Sequence, residues 1–337
     1  MAVMEIAGAV QRIEPQYVQV DAQYEGQRVD NFLRARLQDV PRTRIYRSLR
    51  RGEVRVNQGR IDPAYRLRVG DVVRIPPLYR RERFPVAVPP SRLLTLLETS
   101  TVYEDDALLV LNKPAGWAVH GGSAERLGII ETMRIMRPEL RSLELVHRLD
   151  RDTSGCLLLA KKRSTLKQLH QALRERKLRK RYLLLVRGCW HGGGRRVESS
   201  LRKNSLRSGE RIVRCDAAGK SSITLFHPLA IHSQASLLQA IPVTGRTHQI
   251  RAQAAWIGYP VGGDAKYGDA EFNQWLGRLG LQRLFLHALS VRLPEFTVEF
   301  GVGSHRTVMA PVPSDLQAVL DRLGIAHPLC GQPQLGS

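Results

Sequence analysis

The residues best suited to chemistry form one dense polar run, HRLDRDTSG at positions 147–155. It holds two aspartates, two arginines, a histidine, a threonine and a serine, and the apolar segment CLLLA follows at 156–160. Burying so many polar groups is costly unless they pair, and such clusters often mark functional sites. A carboxylate fixed at the edge of a strand could attack a substrate covalently or act as a base. A surface turn held by ion pairs would use the same residue types, so the run alone leaves both interpretations open.

Short strands must position this run. The apolar segments typical of strands alternate with loops and a few helices, and they lie at 108–111, 156–160, 182–186 and 236–240. This order predicts a mixed α+β domain that begins near Leu97.

One predicted helix precedes the third of these strands. Leu166, Leu169 and Leu173 follow helical spacing. Six cations close the same stretch: Arg174, Arg176, Lys177, Arg179, Lys180 and Arg181. That number exceeds what compensation of the helix dipole requires. The sequence therefore predicts a positive helix end that contacts a phosphate backbone and leads into Tyr182.

The charge balance points to a polyanionic partner. The chain has 337 residues, of which 43% are hydrophobic, enough for about two domains. It carries 52 Lys and Arg against 31 Asp and Glu, which gives a net charge of +21. No uninterrupted apolar run reaches the roughly 18 residues of a membrane helix, and residues 1–10 lack the basic segment of a signal peptide. We therefore expect a nucleic acid partner, no membrane association and a cytoplasmic location.

A compact arginine-rich unit is predicted between residues 28 and 75, with two helices followed by short strands. It contains thirteen arginines against five acids. Guanidinium groups bind phosphate in a bidentate manner and stack on bases, which suits RNA. The candidates for RNA contact are concentrated around the second helix: Arg42, Arg44, Arg47, Arg50 and Arg51. A solvated basic face without a ligand is the alternative.

The four cysteines, Cys156, Cys189, Cys215 and Cys330, are widely spaced and form no CxxC pair. This spacing argues against a zinc site and against a disulfide framework. We expect reduced thiols and no metal.

Residues 28–75 resemble the S4 RNA-binding domain. The likeness rests on Arg28, RTR at 42–44, GEVRVN at 52–57 and GDVV at 70–73. It implies an RNA anchor that uses its helical face and that does not itself carry the reaction.

Most of the remaining chain resembles the RluA-type pseudouridine synthases. HRLDRDTSG carries the likeness, and four further segments, one before it and three after it, occur in the family's order. They are LNKPAG at 111–116 with VHGG at 119–122, KRY at 180–182, TGRTHQIR at 244–251 and LHA at 286–288. Several motifs in one order are far more specific than any single motif.

This resemblance implies that the chain converts uridine to pseudouridine in RNA without a cofactor, with Asp150 as the catalytic carboxylate. The reaction breaks the N1 glycosidic bond, turns the detached base and rejoins it through C5. Residue types alone do not separate Asp150 from Asp152, since both lie in one run. Attack on the base, attack on the sugar and proton removal from the sugar all remain open as roles for the carboxylate.

Three helper residues are implied by the same resemblance. Arg148 is the candidate for base flipping, Tyr182 for stacking on the flipped base, and Arg251 for pairing with the catalytic carboxylate, with Arg246 as the weaker alternative. By charge and position alone, Arg148 could equally clamp a phosphate and Tyr182 could be a core residue.

Two histidines, His147 and His120, also fall in matched segments. We expect structural or substrate-positioning hydrogen bonds from them and assign neither to proton transfer.

Within the family, segments 47–57, 208–214 and 285–288 look closest to synthases of the ribosomal large subunit. The expected partner is therefore 23S ribosomal RNA or a large-subunit assembly intermediate, bound by a monomer. The alternatives are a synthase acting on transfer RNA and a non-catalytic S4-type RNA-binding protein. A hydrolytic glycosidase using Asp150 and Asp152 as paired carboxylates fits the charge of the chain poorly.

The predicted architecture is α+β. A small α/β S4 domain precedes a mixed, mainly antiparallel sheet with flanking helices. The expected divisions are an N-terminal extension at 1–26, the S4 domain at 27–76, a linker at 77–96, the catalytic domain at 97–325 and a tail at 326–337, rich in Pro, Gly and Gln, for which we expect disorder.

Overall fold

The computed structural model describes residues 10–37, 40–81, 88–121, 127–140, 143–205, 211–294 and 306–326. The chain divides into two compact units, Met1–Val88 and Pro89–Ser337. Parts of several predicted segments lie outside the described residues: residues 1–9 of the N-terminal extension, residues 38–39 of the S4 domain, residues 82–87 of the linker, Gly122, residues 208–210, and residues 327–337 with Cys330. Across the described parts, no helix is long and apolar enough to cross a membrane.

The first unit is built from short antiparallel strands and two helices. Its elements, in chain order, are β1 (Val10–Ile13), β2 (Gln16–Gln19), a 3-10 helix (Ala22–Tyr24), α1 (Val29–Arg36), α2 (Arg42–Arg50), β3 (Arg55–Val56), β4 (Gly59–Arg60), β5 (Val72–Ile75) and β6 (Leu78–Arg81). Four strands form a sheet in the order β2-β5-β3-β4, and β1 pairs with β6. Residues assigned from sequence to the N-terminal extension thus supply β2, an edge strand, because Val18 and Val20 turn toward the core of this unit.

Helices α1 and α2 pack against one face of the four-stranded sheet. The core they share with it contains Val29, Phe32, Leu33, Ile45, Leu49, Val56, Val73 and Ile75. On both helices the buried residues recur at helical spacing, as the sequence predicts. Asn57 and Gln58 join β3 to β4 with positive φ angles of 48° and 67°, as a two-residue type I′ hairpin requires.

The second unit is a large sheet with helices around it. Its elements are α3 (Ser91–Glu98), β7 (Thr101–Glu104), β8 (Leu108–Lys113), α4 (Ile129–Met136), β9 (Glu144–Leu145), β10 (Ser154–Ala160), α5 (Arg163–Arg174), β11 (Arg179–Arg187), β12 (Arg195–Ser205), β13 (Arg211–Cys215), β14 (Lys220–Ile231), β15 (Ala235–Pro242), α6 (Gln249–Trp256), α7 (Ala270–Arg278), β16 (Leu286–Arg292), β17 (Thr307–Met309) and α8 (Ser314–Arg322). Leu93 and Leu97 of α3 are buried in the core of this unit, although the sequence assigns most of this helix to a linker.

The large sheet runs in the order β13-β12-β14-β15-β11-β16-β10-β8-β7, with β17 beside β16 and β9 beside β10. The pair β10 and β16 is parallel, and the other pairs among the described strands are antiparallel. The observed architecture is therefore α+β with a mainly antiparallel sheet, as the sequence predicts.

Strand β10 lies inside this sheet and is buried over its whole length. Leu157 and Leu159 belong to one hydrophobic cluster, whereas Cys156, Leu158 and Ala160 belong to another. Because successive side chains of a strand point to opposite faces, both faces of the sheet are covered here. This explains why the segment reads as an uninterrupted apolar run.

The predicted positive helix end is wrong. Helix α5 ends at Arg174, and Arg176 adopts a left-handed conformation with φ of 58°, which stops the helix. The last three of the six cations, Arg179, Lys180 and Arg181, lie on strand β11. Helical spacing stops at Leu173, and the continuous apolar run from Tyr182 to Val186, which is buried, belongs to a strand that begins at Arg179.

Candidate active site

The polar run at 147–155 forms the loop that enters β10, and a second loop ties it down. Lys113, at the end of β8, is fully buried and its Nζ donates to the carbonyls of Pro114 (2.8 Å) and Arg151 (2.9 Å). Gly116 N also donates to Arg151 O, and Arg151 Nε donates back to Gly116 O, both at 2.9 Å. Burial lowers the pKa of Lys113 to about 7. The loop is therefore held by backbone contacts that leave its carboxylates free for other partners.

The other end of the run is fixed by β16. Ser154 Oγ and His287 Nδ1 are hydrogen-bonded at 2.9 Å. Gly155 has a φ of +108°, and a Cβ there would lie 2.3 Å from Ala288 O. Because no side chain fits that approach, the parallel pairing of the two strands requires glycine at this position. The matched segment LHA thus has a structural reason to accompany HRLDRDTSG.

Asp150 meets Arg251 across this loop. Arg251 Nη1 lies 3.4 Å from Asp150 Oδ2, and the side chain of Arg251 is only 5% exposed against 26% for Asp150. Arg251 is held by Asp264, since its Nε and Nη2 donate to Oδ2 and Oδ1 of Asp264 at 2.7 Å each. Such a two-pronged contact fixes the guanidinium plane. One nitrogen of Arg251 is left to point at Asp150.

Asp264 holds Arg251 in place, and both of its carboxylate oxygens accept hydrogen bonds. Its side chain is 0% exposed, and its Oδ1 also accepts from the backbone amides of Lys266 (2.9 Å) and Tyr267 (3.1 Å). Burial by itself would raise the pKa of Asp264, but the hydrogen bonds and charge of Arg251 outweigh it, so the pKa lies below its ordinary value. Burial would also lower the pKa of Arg251, and Asp264 raises it. Both groups are charged in neutral solution.

His248 approaches Asp150 from the start of α6. It sits in a left-handed conformation with φ of 51° directly before the helix. Its Nε2 lies 3.9 Å from Asp150 Oδ2, and its Nδ1 is hydrogen-bonded to Tyr267 Oη at 2.9 Å. Burial lowers the pKa of His248, although Asp150 opposes the shift. Arg251, and not His248, therefore supplies the permanent positive charge beside Asp150.

The segment TGRTHQIR folds into a rigid turn that presents these side chains. Thr244 Oγ1 accepts from Ile223 N (2.9 Å) and donates to Gln249 Oε1 (2.7 Å). Gln249 Nε2 donates to Ile223 O at 3.0 Å. Arg246 is exposed and its Nε donates to Ser221 O at 3.2 Å. Of the two arginines predicted as partners of Asp150, only Arg251 contacts it among the described contacts.

A cleft of about 770 Å³ brings the predicted residues together. Asp150, Arg251, Tyr182 and Arg148 all line it, whereas Asp152 does not. Its cationic lining consists of Arg148, Arg176, Arg179, Lys180, Arg181, Arg246, Arg251 and Arg292. Asp150 is the one carboxylate among the described residues that line it. The cleft therefore offers a single acid inside a basic surround.

Tyr182 lies on β11 next to an irregularity in the pairing with β16 between Arg181 and Leu183. The side chain is 7% exposed and packs in the main core cluster while lining the cleft. Burial, and then the negative charge of Asp150, raises the pKa of Tyr182 above its ordinary value. The ring is thus a neutral phenol that belongs partly to the core and partly to the cleft wall.

Arg148 and the two histidines differ in their surroundings. Arg148 is exposed at the cleft. His147 Nε2 accepts from Leu158 N at 3.3 Å, and burial lowers the pKa of His147 to about 3. His147 is therefore uncharged near neutral pH. His120 is exposed and does not line the cleft.

The arginines predicted to bind RNA lie on α2 of the first unit or directly after it. Arg44 and Arg51 approach Glu53 at 3.3 and 3.8 Å. Arg47 is exposed, and Arg50 Nε donates to Tyr46 O at 3.4 Å. The side chain of Arg42 is outside the described part of the chain.

Sequence reasoning missed Asp264 and left Lys113 without a role. Asp264 lies in the glycine-rich segment GGDAKYG at 262–268. A Cβ on Gly263 would lie 2.0 Å from Arg283 O, and one on Gly268 would lie 2.1 Å from Asp264 O. An acid between glycines that tolerate no side chain was the available signal. Among the residues described, no group of three His, Cys, Asp or Glu could hold a metal ion.

Family models match a part of each of the two units. The family model for RNA pseudouridylate synthase matches residues 107–256, and the S4 domain model matches residues 27–73. Ribosomal large subunit pseudouridine synthase C of Haemophilus influenzae is 53% identical over 268 residues, which cover 79% of this chain and 83% of the relative. The protein of the same name from Escherichia coli K12 is 50% identical over 309 residues, or 91% of this chain and 96% of the relative.

This chain belongs to the RNA pseudouridylate synthase family. A solved structure, human RNA pseudouridylate synthase domain containing 4, is also similar, with a TM-score of 0.56 and 25% identity over 69% of this chain and 96% of that chain. The matched family region includes Asp150, Tyr182 and Arg251, while Asp264 lies beyond its end. The chain is an RNA pseudouridine synthase with an S4 domain.

Proposed function

We propose that the chain converts uridines of the ribosomal large subunit RNA, 23S RNA in bacteria, to pseudouridine, and that Asp150 is the carboxylate that acts on the nucleoside. The role proposed for Asp150 rests on the absence of other acids near it in the described lining of the cleft. Asp150 is the one acid among the described residues lining a basic cleft, and Arg251 lies 3.4 Å away. Asp152, two residues later, is exposed and lies off the cleft.

The two oxygens of Asp150 have different surroundings. Oδ2 faces Arg251 and His248, whereas Oδ1 forms no hydrogen bond with a described residue and is the oxygen available to a nucleoside. Arg251 orients the carboxylate, and Asp264 orients Arg251. A preorganised charge of this kind contributes to rate because it needs no rearrangement during the reaction.

The isomerisation leaves the composition of the base unchanged, although one hydrogen exchanges with solvent. The bond between N1 and C1′ of the uridine breaks, the base turns, a bond forms between C5 and C1′, and the C5 proton is lost as N1 regains one. Tyr182 is proposed to stack on the base while it turns, since its ring forms part of the cleft wall. A phenol whose pKa is raised keeps its proton, which favours stacking over service as a base.

The target uridine must leave its stack before it reaches Asp150, and extrusion costs a few kcal/mol in nucleic acids. Arg148 is the proposed residue for base flipping, because it is exposed at the same cleft and only two positions from Asp150. The further cations of the cleft would contact the backbone on either side of the flipped nucleotide.

The substrate proposal rests on the names of the relatives and on charge. Relatives about half identical to this chain are named as ribosomal large subunit pseudouridine synthases, and the net charge of +21 suits a large polyanion. Free 23S RNA or an assembly intermediate would be the partner, which would place the reaction in the cytoplasm.

The proposal is tested by supplying RNA labelled with tritium at C5 of uridine. We expect release of tritium from 23S RNA and little from transfer RNA. Carbodiimide modification and primer extension in a strain lacking the gene would then locate the missing pseudouridines. Release from transfer RNA alone would overturn the substrate, and absence of release from any RNA would favour a non-catalytic RNA-binding protein.

A further inference from the structure

The outer face of the four-stranded sheet in the first unit carries a row of arginines that ends in a tyrosine. Backbone register places Tyr17 opposite Arg74, Arg74 opposite Arg55, and Arg55 opposite Arg60. Residues paired in this way point to the same side of a sheet. Tyr17, Arg74, Arg55 and Arg60 are called the arginine row below.

The arginine row faces away from the helices. Val56, Val73 and Ile75, which alternate with these residues along the strands, are buried in the core formed with α1 and α2. Tyr17 is 70% exposed, and Arg55 and Arg60 are exposed as well. The row therefore lies on the opposite side of the sheet from the helices, which carry the predicted RNA contacts.

Like charges directly opposite each other on neighbouring strands destabilise a sheet. The arginine row has two such pairs, Arg74 with Arg55 and Arg55 with Arg60. None of the three forms an ion pair with a carboxylate of a described residue. By contrast, Arg28 pairs with Asp30, and Arg44 pairs with Glu53.

The hydrogen bonds of the row hold the guanidinium groups without neutralising them. Arg55 donates to the carbonyls of Gly52 (3.3 Å) and Gln58 (3.4 Å), and Arg74 donates to Glu53 O (2.8 Å). A carbonyl carries no net charge, and each guanidinium has five donors. Preoriented donors with uncompensated charge therefore remain available to an external anion.

The next row along the strands, Gln19, Val72 and Asn57, has no acid of its own, and Val72 N donates to Asn57 Oδ1 at 2.8 Å. The nearby Asp71 carboxylate is buried and accepts from Asn57 Nδ2 at 2.9 Å. Strands in a sheet are about 4.8 Å apart, so the arginine row spans roughly 14 Å. That is longer than a single phosphate contact requires and suits several nucleotides in sequence.

We infer that this sheet face is a second RNA-binding surface, which takes an unpaired strand of the substrate with phosphates on Arg74, Arg55 and Arg60 and a base stacked on Tyr17. An unpaired strand is specified because an exposed aromatic ring stacks on a base only when that base is splayed out. The inference rests on the proposed function, since it assigns a further contact to the same RNA substrate.

The salt dependence of RNA binding distinguishes the phosphate contacts of the arginines from the base stacking of Tyr17. The full chain is titrated with a single-stranded RNA oligonucleotide and with 23S RNA at several salt concentrations. Replacing Arg55 and Arg74 together by Gln should reduce the slope of log affinity against log salt for the oligonucleotide by about 1.4, because each phosphate contact on a single strand contributes about 0.7. Arg322→Gln is the matched control, since Arg322 also donates to a backbone carbonyl, that of Leu279, and lies in the second unit.

The tyrosine should behave differently. Tyr17→Ala should weaken oligonucleotide binding by about tenfold, as loss of one stacked base does, with no change in slope because no charge is removed. Tyr79→Ala is the control, since Tyr79 is 63% exposed on β6, outside the row. Equal affinities for the two alanine variants, or equal slopes for the Gln pair and Arg322→Gln, would overturn the inference.

Thermal stability and turnover are measured separately from RNA binding. Replacing Arg55 and Arg74 by Lys keeps the charge and should keep the slope. If the Gln pair melts below the wild type, Arg60→Gln, whose guanidinium forms no hydrogen bond with a described residue, should still lower the slope by about 0.7. Turnover at saturating RNA should be unchanged in all variants. If the variants bind RNA like the wild type while the wild type releases tritium, the inference is rejected and the proposed function stands. If the wild type releases no tritium, the proposed function is rejected, whatever the binding results.

Discussion

The cleft of the second unit and the surfaces of the first unit are both basic, but the cleft contains buried, paired charges whereas the first unit carries exposed arginines. In the cleft, one carboxylate meets a buried arginine whose other side is held by a buried aspartate. In the first unit, residues 28–75 include thirteen arginines and five acids, and several of the arginines are exposed.

This difference separates rate from affinity. Buried charges are weakly screened by salt, so their geometry decides how well Asp150 is presented. Exposed arginines release counterions when they meet phosphates, so they decide how tightly RNA binds and how strongly salt weakens it. Variants of the buried pair Arg251 and Asp264 should therefore change turnover, and variants in the first unit should change binding and its salt slope.

The largest effect that sharpens this comparison is expected for Arg251→Lys. Lysine keeps the positive charge but lacks the fork that contacts Asp264 and Asp150 at once. Turnover should fall by about 10²-fold or more, as for loss of one preorganised donor, while RNA affinity and its salt slope stay close to wild type. Arg246→Lys is the control, because Arg246 does not contact Asp150. A parallel loss of affinity in the Arg251 variant would break the separation of rate from affinity.

Asp264→Asn should be next in size. An amide offers one donor to a guanidinium that needs two acceptors, so Arg251 loses its fixed orientation and turnover should fall by about tenfold or more. Breaking a buried ion pair also costs roughly 3 to 5 kcal/mol in the free energy of unfolding. Chemical denaturation at pH 7 measures the second effect, and single-turnover rates measure the first.

The pH dependence of this variant follows from the lowered pKa of Asp264. A carboxyl whose pKa is lower in the folded state stabilises the fold above its unfolded pKa of about 3.9 and loses that contribution as the pH falls through the folded pKa. The stability difference between wild type and Asp264→Asn should therefore shrink below about pH 4. A constant difference down to pH 2 would contradict the ion-pair origin of the effect.

Arg148→Ala should have an intermediate effect that depends on the substrate. Without a side chain to assist flipping, the cost of unstacking is uncompensated, so kcat/KM on folded 23S RNA should drop by about tenfold. On a short unstructured RNA that contains the same uridine, the drop should be small. An equal loss on both RNAs would assign Arg148 to a phosphate contact instead.

The smallest effect on turnover is expected for the arginines on or directly after α2, where the comparison can be made between neighbouring residues. Arg47 and Arg50 have no carboxylate partner among the described contacts, whereas Arg44 and Arg51 approach Glu53. Replacing the first two by Gln should lower the salt slope by about 1.8 if both contact a duplex, at about 0.9 per phosphate. Replacing the second two should lower it less, because Glu53 already offsets part of their charge. Identical slopes for the two pairs would show that Glu53 does not matter.

Local patterns predicted the parts of the fold that depend on nearby residues. The spacing of Val29, Phe32 and Leu33 predicts α1, and the apolar run at 156–160 predicts β10, and both elements are present. The helix after Arg163 was predicted too long, because a single left-handed residue at Arg176 ends it, and charge counting does not detect such a residue.

The site was harder to predict than the fold, because it depends on contacts between distant parts of the chain. Asp150 and Asp152 share one run, and only the family resemblance separated them in the sequence. In the structure they differ in that only Asp150 lines the cleft. The glycines around Asp264 mark its segment in the sequence, but they do not identify its partner, because the pair with Arg251 is created by packing.

The most direct test compares Asp150→Asn with Asp152→Asn in tritium release from C5-labelled 23S RNA, with RNA affinity measured in parallel. The proposed role predicts no release above background for Asp150→Asn, near wild-type release for Asp152→Asn, and unchanged affinity for both. Undiminished release by the Asp150 variant, or loss of release by the Asp152 variant alone, would contradict the assignment of Asp150 as the carboxylate that acts on the nucleoside.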